Sequence, residues 1–154
     1  DPTRPVVDNS GWSHVDTDIV DLHEYSQDAG YVYKILSRIS PASPTLPMES
    51  HRIPAMADGF LYTGQPVVVS EYGGIALSAD TTDGAWGYGD AAESADRLAA
   101  RYRDLTESIL KNSFIAGFCY TQLYDVEQEV NGLLTCDRRP KVNVETIAGI
   151  NRQE

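Results

Sequence analysis

The sequence predicts an α/β fold with a parallel sheet, and three observations predict it. Pro66 opens an unbroken β-branched run, residues 67–69, that suits a strand covered on both faces. Residues 114–119 form a second apolar run of the same character. Between the two, Ala95, Leu98, Tyr102, Leu105 and Ile109 recur at three-and-four spacing, with charged residues on the opposite side. Strands and helices that alternate in this way build parallel sheets.

Taken in order, residues 5–9 are a short apolar run ending in the turn signal Ser10-Gly11-Trp12, and are expected to be a strand followed by a loop. Residues 18–25 are expected to be the next strand. The segment between them is too short for a crossover helix. Either a single helical turn over residues 13–16 connects them, or the two strands are not adjacent parallel neighbours. Asp28 is placed as the N-cap of a helix over residues 29–39, whose apolar face is Val32, Ile35, Leu36 and Ile39.

Residues 40–65 are broken by Pro41, Pro44, Pro47 and Pro54, with a turn of helix expected over residues 55–60. Length without periodicity marks a functional or packing loop. The valine strand then runs into Ser70-Glu71-Tyr72-Gly73-Gly74. Residues 75–89, with Asp80, Asp83, Trp86 and Tyr88, leave its carboxyl end. A helix is expected over residues 90–111 and a strand over 114–123. An acidic loop over 124–132 closes on Asn131-Gly132, and Arg138-Arg139-Pro140 lead to a last helix over 144–151.

The 154 residues make one ordinary domain, 42% hydrophobic. A net charge of -11 argues against nucleic acid or an anionic membrane as partner, because both need a basic patch. No apolar run approaches a membrane span, and no basic-then-apolar leader opens the chain. The start Asp1-Pro2-Thr3-Arg4-Pro5 reads as the middle of a longer polypeptide. Two cysteines make no disulfide framework. Cys119 is expected to be a buried thiol and Cys136 to lie in a loop; a reducing, cytoplasmic compartment fits.

In parallel α/β folds the carboxyl ends of the strands face the ligand, which draws attention to Glu71. A lone Glu there is also how a solvated end or a salt-bridge partner looks. The stretch Ser70-Glu71-Tyr72-Gly73-Gly74, however, resembles the nucleophile strand of glycoside hydrolase family 2, the β-galactosidase and β-glucuronidase family. Thr3-Arg4-Pro5-Val6 with Ser10-Gly11-Trp12 resembles that family's fifth barrel strand, and residues 18–25 its sixth. Gly117-Phe118-Cys119-Tyr120 through Asp125, with Asp137-Arg138-Arg139-Pro140-Lys141, resembles the eighth strand and the run into the last helix.

A complete (β/α)8 barrel takes eight strands and typically about 250 residues. The resemblance therefore implies that residues 1–154 are the C-terminal half of such a TIM barrel, strands five to eight with their helices. It also implies partners: the missing N-terminal half of the barrel and the β-sandwich domains of a full-length protein, besides the carbohydrate substrate. Open sheet edges would favour association of the fragment with itself or with the missing half.

Retaining glycoside hydrolysis uses two carboxyl groups about 5–5.5 Å apart. The resemblance gives Glu71 the role of nucleophile. Its acid/base partner in this family is the Glu of an Asn-Glu pair ending the fourth strand, and no Asn-Glu pair occurs in the sequence. The chain alone is thus expected to be inactive. Tyr25 is the candidate hydrogen-bond donor to Glu71, where a donor would favour the ionised form, or else it is simply packed.

His23 shares a face with Tyr25 by strand alternation and either meets a sugar hydroxyl or is a rim histidine. Trp12, Trp86 and Tyr120 are candidate aromatic walls for the sugar, or plain core. Position 120 is Trp in many relatives, so the platform here is expected to be smaller. Asn9 and Asp125 either bind hydroxyls or anchor their own loops, and Glu127 and Glu129 read as a solvated face. No metal site or cofactor is expected of this segment, although Mg2+ or Na+ serves some relatives near the sugar.

The activity implied is that of a retaining exo-β-glycosidase, β-galactosidase before β-glucuronidase or β-mannosidase. The alternative is a non-catalytic carbohydrate-binding or scaffold module with the same fold. A family 5 glucanase, which also ends strand seven in Glu, is disfavoured by the loop over residues 125–132.

Overall fold

The computed structural model describes residues 3–40, 53–78 and 84–153. Its elements run β1 (Val20–Glu24), α1 (Ala29–Leu36), β2 (Val67–Gly73), α2 (Ala95–Leu110), β3 (Ile115–Thr121) and α3 (Val144–Arg152). The three strands form a parallel sheet in the order β1-β2-β3. Each parallel step needs a crossover, which α1 and α2 supply. Val20, Leu22, Val67 and Val69 from the strands pack with Val32, Leu36, Leu98, Leu105 and Ile109 from these helices as one core.

Local chemistry sets the helix ends. Asp28 caps α1, accepting from Tyr31 N at 3.0 Å. The helix stops at Leu36 rather than 39 because Arg38 N and Ile39 N turn to carbonyls three residues back, Ile35 O and Leu36 O, a tightened last turn. Ser94 caps α2. That helix starts later than its composition suggests because Ala92 is held in a parallel bridge to Leu77, with Ala92 N on Ala76 O at 2.7 Å. Asn143 caps α3, accepting from Glu145 N and Thr146 N. Among the described residues no helix is long and apolar enough to cross a membrane.

Three expectations are corrected, and of the two connections weighed for residues 13–16 the helical one is excluded. Residues 5–9 are not a strand, so the described sheet has three strands and not four. Val6 spends its backbone groups on the next turn, with N–H to Asp18 Oδ2 at 2.8 Å and the carbonyl taking Asp18 N and the Thr17 hydroxyl. Residues 13–16 form no helical turn, because His14 bridges Met56 in parallel through Ala55 O and Ala57 N. The helical turn expected over 55–60 is a tight turn, with Phe60 N on Ala57 O. Cys119 is exposed, because it sits on β3, an edge strand whose residues are only partly covered. Pro41, Pro44, Pro47, Asp80 and Asp83 lie outside the described residues.

β1 is also an edge strand, yet all five of its residues are buried. The loop over residues 10–17 lies across it, tied down by Gly11 N and the His14 ring. On the helix-facing side of β2 and β3, Tyr72 and Tyr120 meet Tyr102 of α2, and Phe118 meets Tyr72, as an aromatic layer with ring centroids 5.0–6.5 Å apart. The Tyr72 hydroxyl hydrogen-bonds Thr106 at 2.7 Å, and the Tyr120 hydroxyl accepts from Ile75 N at 2.9 Å.

Burial raises the hydroxyl pKa of Tyr72 and Tyr120, and of Tyr62, above the ordinary 10.0. A raised value in the folded state means that the stability these phenols contribute is complete below pH 10. It is lost as pH rises above that towards the folded value. In an alkaline titration followed by phenolate absorbance, fewer than the nine tyrosines should therefore ionise near pH 10. The rest should appear together with cooperative loss of near-UV circular dichroism. Nine independent phenols titrating near pH 10 would contradict this packing.

Candidate active site

Glu71 owes its position to an irregularity in β2. Leu22 pairs with Val69 and His23 with Glu71, while Val69 pairs with Phe118 and Tyr72 with Tyr120. The middle strand thus carries an extra residue against both neighbours. Such bulges bend a strand and re-aim its side chains. Here Ser70 turns its hydroxyl onto Asp21 Oδ2 at 2.5 Å, and Glu71 swings towards the end of β1.

Two side chains meet the Glu71 carboxylate at one oxygen. The Tyr25 hydroxyl donates to Oε2 at 2.5 Å, and His23 Nδ1 lies 3.2 Å from the same atom. Neither engages Oε1, and the side chain is 40% exposed. The carboxylate is therefore fixed in orientation with one oxygen turned to whatever occupies the face above it. Burial raises the Tyr25 hydroxyl pKa above its ordinary value, and the hydrogen bond to Glu71 adds to the rise. Tyr25 is thus held as a neutral donor.

Aromatic rings brace the donors. Tyr25 stacks on Tyr88 at 3.6 Å with an interplanar angle of 11°, and Trp86 meets the edge of Tyr88 at 5.5 Å. Trp86 is held through its backbone to Gln128 O and Val130 N, and its indole is 45% exposed. Tyr88 N bonds Gly74 O at 2.8 Å, and a Cβ on Gly74 would run into the Tyr88 ring. On the other side Trp12 meets the His23 ring edge-on at 5.3 Å, and Ser10 Oγ is 3.1 Å from His23 Nε2. Gly11 has φ +84°, and a Cβ there would lie 2.6 Å from the His23 ring. Position 11 therefore excludes a side chain on two counts.

Of the residues singled out from sequence, Glu71, Tyr25, His23 and Trp12 come together, and Trp86 joins them through Tyr88. Asn9 spends its amide on the Trp12 carbonyl at 2.6 Å, tying its own loop. Tyr120 is not part of the cluster: it pairs in register with Tyr72 and packs on the helix-facing side. Asp125 is not part of it either. It is 8% exposed and takes Gly132 N and Lys141 Nζ, both at 2.8 Å.

Sequence reasoning missed Asp21, Ser10, Ser70 and Tyr88. The alternation that put His23 beside Tyr25 also puts Asp21 on that face, and could have found it. Nothing in the sequence points to Ser70, because the bulge that aims it is a tertiary feature. Among the described residues no group of three or more His, Cys, Asp or Glu side chains is arranged to hold a metal ion.

No family model and no curated protein matches the sequence. Solved structures do match in fold. A β-glucuronidase from an uncultured Clostridium species aligns over 99% of this chain and 26% of its own, with a TM-score of 0.58 and 18% identity. The β-D-glucuronidase of Dictyoglomus thermophilum gives the same coverage and TM-score at 16% identity. A GH2 β-galacturonidase from Eisenbergiella tayi covers 90% of this chain and 24% of its own, at TM-score 0.58 and 15% identity. The chain spans about a quarter of the length of these structures, all of them glycosidases, and the likeness is one of fold.

Proposed function

We propose that this chain is the C-terminal part of the (β/α)8 catalytic barrel of a family 2 glycoside hydrolase, with β1, β2 and β3 standing as strands six, seven and eight. Glu71 is then the nucleophile of a retaining exo-β-glycosidase. The fold likeness to glycosidases about four times longer supports the barrel and the fragment. One observation carries the chemistry: at the carboxyl end of the middle strand, Tyr25 and His23 hold Glu71 by Oε2 and leave Oε1 to react.

In that reaction Oε1 bonds the anomeric carbon as the glycosidic C–O bond breaks, and an acid protonates the departing oxygen. Water then attacks the glycosyl-enzyme, delivered by the same group acting as base. The acid/base comes from outside this chain, which has no Asn-Glu pair. The exposed indole of Trp86, with Trp12 on the opposite flank, offers apolar faces to the sugar ring. The sequence resemblance favours a β-galactoside, and a β-glucuronide stands beside it because structural neighbours carry that name.

The test is covalent trapping. A longer protein that includes this chain, treated with activated 2-fluoro-β-galactoside and 2-fluoro-β-glucuronide, should carry the fluorosugar on the peptide containing Glu71. The chain alone should release nothing from the corresponding aryl glycosides. Sugar binding with no labelled peptide would make it a carbohydrate-binding module, and a label on any other carboxylate would remove Glu71 from the role.

A further inference from the structure

His14 is completely buried, and it does not touch Glu71. Its Nδ1 is 2.7 Å from Asp8 Oδ1. Its Nε2 is 2.9 Å from the Asp21 carbonyl and 3.1 Å from Asp21 Oδ1. Every one of these partners is an oxygen acceptor. Both ring nitrogens must therefore donate, and a neutral imidazole has only one N–H. The geometry is satisfied in full by an imidazolium. A buried cation is tolerated when it is paired, and here a carboxylate stands at each end of the ring. The outer one is itself well anchored. Burial alone would raise the Asp8 pKa, but the Val15 N–H, the His14 ring and the Asp16 N–H outweigh it and hold the carboxyl below its ordinary range.

Asp21 links this pair to the site. Its Oδ1 accepts Gly11 N at 3.0 Å and lies 3.1 Å from His14 Nε2, and its Oδ2 accepts the Ser70 hydroxyl. Oδ2 also stands 3.7 Å from His23 Nε2, too long for a hydrogen bond, while Ser10 Oγ is at 3.1 Å. His23 thus lies between two carboxylates, Glu71 on the Nδ1 side and Asp21 on the Nε2 side. Left uncompensated, the Asp21 carboxylate would face the His23 ring directly, with Glu71 on the ring's other side.

We propose that His14 is a positioning residue: a buried imidazolium that balances Asp21 and so keeps His23 in its neutral form, with the Nδ1–H aimed at Glu71 and Nε2 accepting from Ser10. Glu71 is then oriented by the Tyr25 hydrogen bond and the neutral His23 ring beside it, without surrendering its charge to a salt bridge. That consequence rests on the glycosidase reading. The network does not, and the experiment reads the network directly.

The protein is labelled with 15N in its imidazoles; it has three histidines, so single substitutions assign them. At neutral pH both His14 nitrogens should show protonated shifts, with a strongly downfield Nδ1–H proton. His23 should show one protonated and one bare nitrogen. In His14→Gln the bare nitrogen of His23 should become protonated. Should that variant fail to fold, Asp8→Asn, at the outer end of the chain of bonds, decides: one proton should leave His14 and His23 should gain one. A bare nitrogen on His14 in the unmodified protein, or a His23 spectrum unchanged by the variant that folds, overturns the proposal. Neither result bears on whether Glu71 can be trapped by a fluorosugar.

Discussion

Replacing Glu71 by glutamine in the longer protein is expected to lower kcat on aryl β-glycosides by about 10,000-fold or more, the scale of loss when one member of a catalytic unit is removed. The amide keeps the shape and still accepts from Tyr25, but it cannot attack the anomeric carbon. A side chain 40% exposed, with its partners retained, should cost little stability, so the melting temperature should scarcely move. The sharper version is Glu71→Ala with azide. The space left on that face admits the anion, whose nitrogen bonds the anomeric carbon as an activated aryl oxide departs. A single displacement inverts the centre, so a β-substrate should give an α-glycosyl azide. Full activity in Glu71→Gln would end the nucleophile assignment. Rescue giving a β-azide would place the azide's attack on the opposite face, with another group as nucleophile.

The contrast between what the sequence disclosed and what it withheld follows range of interaction. α2 and β2 were legible because their signals are local: Ala95 to Ile109 spacing on one, three valines in a row on the other. Asp28 as a cap was legible for the same reason. Residues 5–9 have the same strand-like composition, but whether they pair depends on what lies alongside, and Asp18 captures the Val6 backbone instead. Tyr120 read equally as a sugar wall or as core, and only the packing decides: it pairs with Tyr72 and lies against Tyr102, so it is core. His23 could be grouped with Tyr25 by the two-residue period of the strand, whereas Tyr25 was set beside Glu71 by the family resemblance alone. Tyr88 reaches Tyr25 from a glycine-rich loop, and no period announces that.

Lys141 is where the largest loss of stability is expected. Its side chain is 1% exposed and its Nζ donates to Asp125 Oδ1 at 2.8 Å and to Val130 O at 2.9 Å. Asp125 is nearly as buried, and beyond Lys141 it has the Gly132 N–H. Lys141→Met fits the space but strands a carboxylate in the interior, which costs about 3–5 kcal/mol. For a chain of this size that corresponds to a drop in melting temperature of roughly 6–20 °C. In urea the midpoint should fall with the slope unchanged if the transition stays two-state. The control separates charge from packing. Asp125→Asn in the Lys141→Met background keeps an oxygen for Gly132 N–H and removes the unpaired charge, so most of the loss should return. The pair also matters to the site. The loop it anchors supplies Gln128 O and Val130 N to the backbone of Trp86, so Lys141→Met in the longer protein should raise KM more than it lowers kcat. A double variant no more stable than Lys141→Met would mean that the lysine acts through its packed stem and not through Asp125.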